Sequence, residues 1–149
     1  MPMQIGSKFR NNHLTKKNTI MKTTIFIWVL RLTAAIIMLQ TLYFKFSASP
    51  ESIYIFSTLG VEPWGRIFTG VMELIAGMFL LVPRTTLLGA IMGFGIMMGA
   101  ILSHIFILGF NVQNDGGQLF IMALVTAIAC AILVYIFRKG IPNLLKLKI

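Results

Sequence analysis

The chain has 149 residues, enough for a single domain, and 57% of them are hydrophobic whereas only 11% are charged. A mean hydropathy of +0.86 is too high for a soluble fold of this size, so the composition excludes that class and predicts an integral membrane protein. The net charge of +9 comes mostly from short flanking segments and not from basic and aromatic residues interleaved in a soluble module. We therefore expect the lipid bilayer, and not nucleic acid, to be the main partner.

Cysteine and histidine are too few for several kinds of site. Cys130 is the only cysteine, so the chain alone cannot form a disulfide, a CxxC redox pair or a thiolate zinc site. The two histidines, His13 and His104, leave any metal site short of ligands. We expect no bound metal, and any redox chemistry would need a cofactor or a partner protein.

Residues 1–22 are polar and basic and have no apolar period, which predicts a disordered or artefactually extended tail. Met21-Lys22 resembles an alternative translation start. The first apolar stretch, with its basic flank, also has features of a secretory signal. It is longer than the usual signal core of about 7 to 15 residues and Arg31 interrupts it, so we expect it to remain as a membrane helix.

Four apolar stretches are each long enough to cross a hydrocarbon core, which needs roughly 20 helical residues. They predict an all-α, four-helix membrane bundle with spans at residues 23–45, 64–82, 86–109 and 117–137, followed by a short basic tail at 138–149. The loop between the first two spans contains an apolar segment, residues 52–56, that predicts a short helix. This helix would lie at the outer interface or pack over the bundle mouth, and either position lets it cover a site.

The distribution of basic residues predicts the orientation. Most of them fall on one side of the membrane: Lys8, Arg10, Lys16, Lys17, Lys22, Arg84, Arg138, Lys139, Lys146 and Lys148. The opposite side has only Lys45 and Arg66 at its margins. Because basic residues accumulate in cytoplasmic loops, both termini are predicted to be cytoplasmic.

Five polar residues stand in or beside the apolar spans, where a charge at mid-depth costs at least about 2.5 to 3.5 kcal/mol on insertion scales. They are Arg31, Gln40, Lys45, Glu73 and His104. Counting about 1.5 Å per residue from the outer ends places Lys45 at the boundary and Glu73 about 13 Å deep, with Gln40 and His104 between them. Side chains lean toward the N-terminus of their helix, so Glu73 leans outward. This arithmetic predicts a Glu73, His104 and Lys45 cluster that opens outward, with Arg31 beneath it as a second positive group.

Each of these residues also has a structural interpretation. Lys45 can extend to the interface at a span end, and Arg31 can do the same on the inner side. Glu73 has no such escape at mid-depth, so it is either part of an ion pair that holds helices together or part of a functional site. A lone histidine such as His104 is more often hydrogen-bonded within the packing than a ligand.

Two small-residue motifs lie on the third span. Gly89-x-x-x-Gly93 and Gly95-x-x-x-Gly99 allow close helix approach. In a chain with four spans they indicate contacts inside the bundle more than dimerisation, although a homo-oligomer stays open.

Several segments together resemble a known family. They are Arg31-Leu32, Tyr43-Phe44-Lys45-Phe46, Gly60-Val61-Glu62-Pro63-Trp64, Val71-Met72-Glu73-Leu74-Ile75-Ala76-Gly77 and Pro83-Arg84-Thr85. Over about residues 25 to 140 the chain resembles the DoxX family. The resemblance implies a small four-helix protein of the bacterial inner membrane, in a family associated with quinone-linked sulfur oxidation and redox defence.

Two functions follow from the resemblance and the polar residues. In the first, the protein is a membrane subunit of a quinone-linked redox system, with a redox partner protein, and the polar cluster holds a quinone carbonyl or a small anion. In the second, it is a non-catalytic small-molecule transporter or an assembly scaffold. No ligands for a flavin, haem or iron–sulfur cluster are recognisable, so the sequence does not decide whether the protein is an enzyme.

Overall fold

The computed structural model describes the backbone of residues 3–140 and the side chains of residues 12–140. Within this part of the chain the structure is helical and has no strands. In chain order the helices are α1 (Met3–Phe46), α2 (Pro50–Thr58), α3 (Trp64–Leu81), α4 (Thr86–Ser103), which a π-helical turn (His104–Leu108) continues, and α5 (Gln118–Phe137), which is followed by a 3₁₀ turn (Arg138–Gly140).

Four of these helices are long and apolar enough to cross a membrane: α1, α3, α4 with its π turn, and α5. The 18 residues of α3 and the 20 residues of α5 correspond to about 27 and 30 Å of helix, close to the thickness of a hydrocarbon core. The all-helical, four-span prediction is confirmed.

Helix α1 differs from the expectation at its N-terminal end. It is helical from Met3, where the sequence predicts a disordered tail up to residue 22. No proline stands between Pro2 and Pro50 to interrupt the backbone hydrogen bonds. The helix therefore continues beyond the bundle, and residues 12–26 are all exposed. Of the predicted C-terminal tail, residues 141–149, with Lys146 and Lys148 of the charge count, lie outside the described residues.

The four long helices form a ring in which α1 and α4 each contact both α3 and α5. Small side chains make up much of the core, so the helices can approach closely. At the α3–α4 turn, a Cβ atom added to Gly89 would lie 2.6 Å from the backbone nitrogen of Leu80. The fully enclosed core residues of this bundle are Ala34, Ala35, Met38, Ala76, Leu80, Ala90, Cys130 and Leu133.

Helix α2 is the short helix expected between the first two spans. Ser49 caps it by accepting a hydrogen bond from the backbone nitrogen of Ser52 at 3.3 Å, and Pro50 occupies its first turn. Ser52 and Phe56 are buried. Because α2 contacts α1, α3 and the π turn, it packs over one end of the bundle.

Candidate functional site

A cavity of about 770 Å³ lies between the four long helices, beneath α2. This volume is in the range of small-molecule and cofactor sites. Its apolar wall includes Ile37, Met38, Phe44, Phe68, Met72, Ile96, Met97 and Leu119, together with Ile55 and Phe56 of α2 and Leu59 directly after it. Polar side chains reach the cavity at two places, one around Glu73 and one around His104.

The first polar group is an ion pair between Lys45 and Glu73. The Nζ atom of Lys45 lies 2.5 Å from Oε2 of Glu73, and the two side chains are 14% and 5% exposed. The hydroxyl of Thr41, one helical turn before Lys45, lies 2.9 Å from the same oxygen. Gly70 lets the end of α1 lie close to α3 here, because a Cβ atom there would lie only 3.1 Å from the Phe46 ring. Two opposite charges at this depth compensate each other.

Arg66 holds the end of α1 that carries Lys45. Its Nε atom donates to both carboxylate oxygens of Glu62, at 2.9 and 3.0 Å, and its Nη1 atom donates to the backbone carbonyl of Lys45. Arg66 is itself buried. It thereby satisfies a carbonyl at the C-terminus of α1, where a positive charge is favourable, and it fixes the backbone from which Lys45 extends.

The second polar group is His104, which is 5% exposed and begins the π turn. Its Nδ1 atom lies 2.9 Å from the carbonyl oxygen of Gly109, while the backbone nitrogen of Gly109 donates to the carbonyl of His104 at 2.8 Å. A carbonyl only accepts hydrogen bonds, so Nδ1 carries a proton, and in the uncharged form of the ring Nε2 is then an acceptor. Phe120 packs edge-on against the ring, with centroids 5.8 Å apart.

Asp115 shapes the loop that closes the His104 end of the cavity. Its Oδ1 atom accepts from the backbone nitrogens of Val112 and Gly117 at 2.9 Å, and Oδ2 accepts from that of Leu119 at 3.0 Å. Burial alone would raise the pKa of Asp115, but these three backbone hydrogen bonds lower it below its usual value. Asp115 is therefore an ionised residue that organises the loop. Among the described residues, no group of three or more His, Cys, Asp or Glu side chains is placed to hold a metal ion.

Arg31 lies apart from the Lys45–Glu73 pair. Its Nε atom donates to the carbonyl of Leu80 at 2.6 Å and its Nη2 atom donates to that of Leu81 at 2.7 Å. The guanidinium also stacks 3.9 Å above the centre of the Trp28 ring. Arg31 thus caps the C-terminal end of α3, where helix carbonyls lack partners within the helix, and it is not among the residues that line the cavity.

Gln40 is also outside the cavity lining. It is exposed, and its Nε2 atom lies 3.1 Å from the sulfur of Met122 on α5. Of the five polar residues singled out in the sequence, the structure joins Lys45 and Glu73, places His104 on the same cavity, and separates Arg31 and Gln40 from them. That this cluster is the functional site stays a prediction.

The sequence model of the DoxX-like family matches residues 29–136, which include the cavity and most of the chain. The chain belongs to the DoxX-like family. The resemblance seen in the sequence is therefore confirmed. No curated protein and no solved structure matches the chain.

Two contacts of this DoxX-like site were missed in the sequence. Thr41 stands four residues before Lys45, so the helical period already placed it on the same face. The hydrogen bond from Arg66 to the Lys45 carbonyl has no corresponding pattern in the sequence. It depends on how the loop before α3 places Arg66 beside the end of α1.

Proposed function

We propose that this DoxX-like protein is a membrane subunit of a quinone-linked redox system and that its cavity binds the quinone ring. The observation that carries the proposal is the Lys45–Glu73 ion pair in the wall of a mainly apolar cavity of about 770 Å³. An aromatic ring with polar oxygens and an apolar tail requires this combination of surfaces. The quinone supplies the redox chemistry when it is bound, and a partner protein exchanges electrons with it.

The residues around the cavity have distinct tasks in this proposal. Lys45 has further N–H groups beyond the one directed at Glu73, and one of these donates to a quinone oxygen. Glu73 orients Lys45, and Arg66 fixes the backbone of Lys45. Phe68 and Trp64 line the cavity, and each has more than half of its surface exposed. They therefore offer a lateral route along which an apolar tail extends into lipid.

Bound quinone tests this proposal directly. The protein is purified in a mild detergent, its organic extract is quantified by mass spectrometry, and the same is done for Lys45→Met. Lys22→Met is the matched control, since Lys22 is exposed on the part of α1 outside the bundle. We expect quinone at close to one per chain in the wild type and the control, and much less in folded Lys45→Met. An extract without quinone from the wild type contradicts the proposal.

Transport is the alternative that the cavity supports, because all four membrane helices contribute to its wall. A transporter moves a small molecule across sealed vesicles without electron transfer. Substrate flux in vesicles that contain only this protein and no redox partner favours this alternative over the first proposal.

We also propose that the protein resides in the bacterial inner membrane with both termini in the cytoplasm, so that α2 and the cavity lie on the outer side. The basic residues of the chain ends and of the α3–α4 turn support this orientation. Reporter fusions after Asn114 and after Lys148 should give signals from opposite sides. Equal signals from the two fusions contradict the topology.

A further inference from the structure

We propose that the cavity selects a ligand that presents two hydrogen-bond donors, and hence that it binds a hydroquinone in preference to the corresponding quinone. The inference rests on the proposed function, whose ligand it specifies further. It comes from two acceptor atoms on buried residues, Oε1 of Glu73 and Nε2 of His104, to which no described residue donates. Both residues are more than nine-tenths buried and line the same cavity.

The carboxylate of Glu73 is engaged on one oxygen only. Its Oε2 atom accepts from Lys45 at 2.5 Å, and the Thr41 hydroxyl, which shares its hydrogen with the Met38 carbonyl at 2.8 Å, lies 2.9 Å from the same oxygen. No described residue donates a hydrogen bond to Oε1. Among the described residues, however, no fully enclosed side-chain nitrogen or oxygen is left without a partner. Because Oε1 has no partner among these residues, it is not fully enclosed. Glu73 lines the cavity, so Oε1 is accessible from the cavity.

His104 presents a second acceptor by the same reasoning. Its Nδ1 proton is donated to the carbonyl of Gly109, which leaves Nε2 of the neutral ring as a bare lone pair. Within the described part of the chain nothing donates to Nε2, and this atom is not fully enclosed either. The π turn and Gly109, whose φ of +79° suits glycine, hold the ring in this orientation.

The neighbouring hydroxyl groups add acceptors and not donors. Ser103 donates its hydrogen to the carbonyl of Gly99 at 2.8 Å, and Thr69 donates to that of Arg66 at 3.1 Å, both within their own helices. What remains of each group on the cavity side is an oxygen lone pair. Lys45 and the side-chain amide of Gln118 are donors on the cavity wall, but they do not discriminate, since a carbonyl oxygen and a phenolic oxygen both accept from them.

The two oxidation states of the ligand differ in what they offer to these acceptors. A quinone has carbonyl oxygens, which cannot donate to Glu73 or His104, so its binding displaces water and leaves both acceptors unpaired. A hydroquinone has the same ring and size, and its hydroxyl groups donate to them. Two such hydrogen bonds, one of them to a carboxylate, predict that the hydroquinone binds tighter by about tenfold or more.

Three ligands of one shape separate this inference from the proposed function. An alkyl hydroquinone, its quinone and its dimethyl ether are titrated without air into the detergent-solubilised wild type, and the dissociation constants are measured by calorimetry. We expect the order hydroquinone, quinone, ether from tightest to weakest. Equal binding of hydroquinone and quinone, or of hydroquinone and ether, overturns the inference and leaves the proposed function standing. Binding of none of the three overturns both.

Two substitutions of His104 test its share of the preference. In His104→Asn the amide nitrogen takes the place of Nδ1 and can still donate to Gly109, but nothing replaces Nε2. We expect the melting temperature to stay close to that of the wild type, and the preference for hydroquinone over quinone to fall several-fold. In His104→Gln the longer amide returns an acceptor near the Nε2 position and restores part of the preference. A folded His104→Asn with the full preference contradicts the role of Nε2, and the three-ligand comparison decides the inference if the variant does not fold.

Discussion

The two ends of the bundle use the same residue types for opposite purposes. Near the α3–α4 turn, Gly89 is packed so closely that an added Cβ would lie 2.6 Å from the backbone of Leu80. Beneath α2, Gly95 and Gly99 have the same spacing of small residues but no atom within 4 Å of an added Cβ. Gly89 and Gly93 let neighbouring helices pack closely. Gly95 and Gly99 leave open space, and both residues line the cavity. A small-residue motif therefore shows where a helix has no large side chains. Whether another helix packs there or a cavity forms depends on the surrounding residues.

The charged residues of the two ends differ in the same way. At the packed end, Arg31 is paired with backbone carbonyls of α3 and has a structural task. At the open end, Lys45 and Glu73 pair with each other and keep hydrogen-bonding capacity toward the cavity. This contrast separates a residue that holds the fold from a pair that is available to a ligand.

The largest expected effect is that of Glu73→Ala at the open end. It leaves Lys45 as an uncompensated cation in the bundle, a defect of about 3 to 5 kcal/mol for a broken buried pair. Unfolding of the detergent-solubilised protein measures this loss. Glu73→Gln keeps the shape and most of the hydrogen bonding, so we expect it to assemble nearly normally and yet to lose the bound ligand. If it is as unstable as Glu73→Ala, the pair is structural. If it equals the wild type in stability and in ligand content, the pair is not the functional site.

At the packed end, Arg31→Met should be the next most destabilising change. It removes two charge-assisted hydrogen bonds and leaves the carbonyls of Leu80 and Leu81 without these donors, which we expect to cost about 2 to 4 kcal/mol. The control is Arg84→Met, whose side chain is exposed and whose loss should change stability by about 0.5 kcal/mol or less. The same unfolding experiment compares them. Loss of ligand from folded Arg31→Met would contradict the separation of the two ends.

The sequence predicted the spans and a cluster of Glu73, His104 and Lys45, of which the structure joins Lys45 and Glu73, because both predictions follow from regular geometry. Hydropathy and helix length place the membrane helices, and depth with helical phase brings the two charges to one level. The partners of Arg31 were not predictable in this way, since the free carbonyls of a helix end exist under any side chain. The cavity was not predictable either, because Gly95 and Gly99 beside it have the same spacing in the sequence as Gly89 and Gly93 in the packed end.

Alanine substitutions at two glycines compare the packing of the two ends with one added methyl group. Gly89→Ala forces backbone atoms apart and should destabilise the protein by about 1 to 3 kcal/mol. Gly99→Ala meets open space and should be neutral or stabilising by up to about 1 kcal/mol, because alanine favours the helix. Melting temperatures measured side by side give the sign of each effect. Equal destabilisation by both changes would show that the open end is packed as tightly as the closed one.

The smallest effect is expected for Cys130→Ser in the packed core. The thiol is fully buried, and its sulfur lies 3.0 Å from the position of a Cβ on Gly93, so it acts as a packing group. The exchange of sulfur for oxygen is nearly isosteric, and the new hydroxyl can donate to a carbonyl of its own helix. We expect a loss of about 1 kcal/mol or less and unchanged ligand content by mass spectrometry. A large loss of ligand would show that the thiol contributes chemistry at a distance from the cavity.

The most direct test of the account is the amount of quinone bound to Gly99→Leu, because this change fills the cavity without touching a polar residue. The leucine side chain extends into space that no atom occupies within 4 Å of its Cβ, so the protein should melt close to the temperature of Gly99→Ala. Quinone per chain, quantified in organic extracts of both purified variants, should be close to the wild-type value in Gly99→Ala and strongly reduced in Gly99→Leu. Wild-type quinone content in a stable Gly99→Leu would contradict the claim that the ligand occupies the cavity beneath α2.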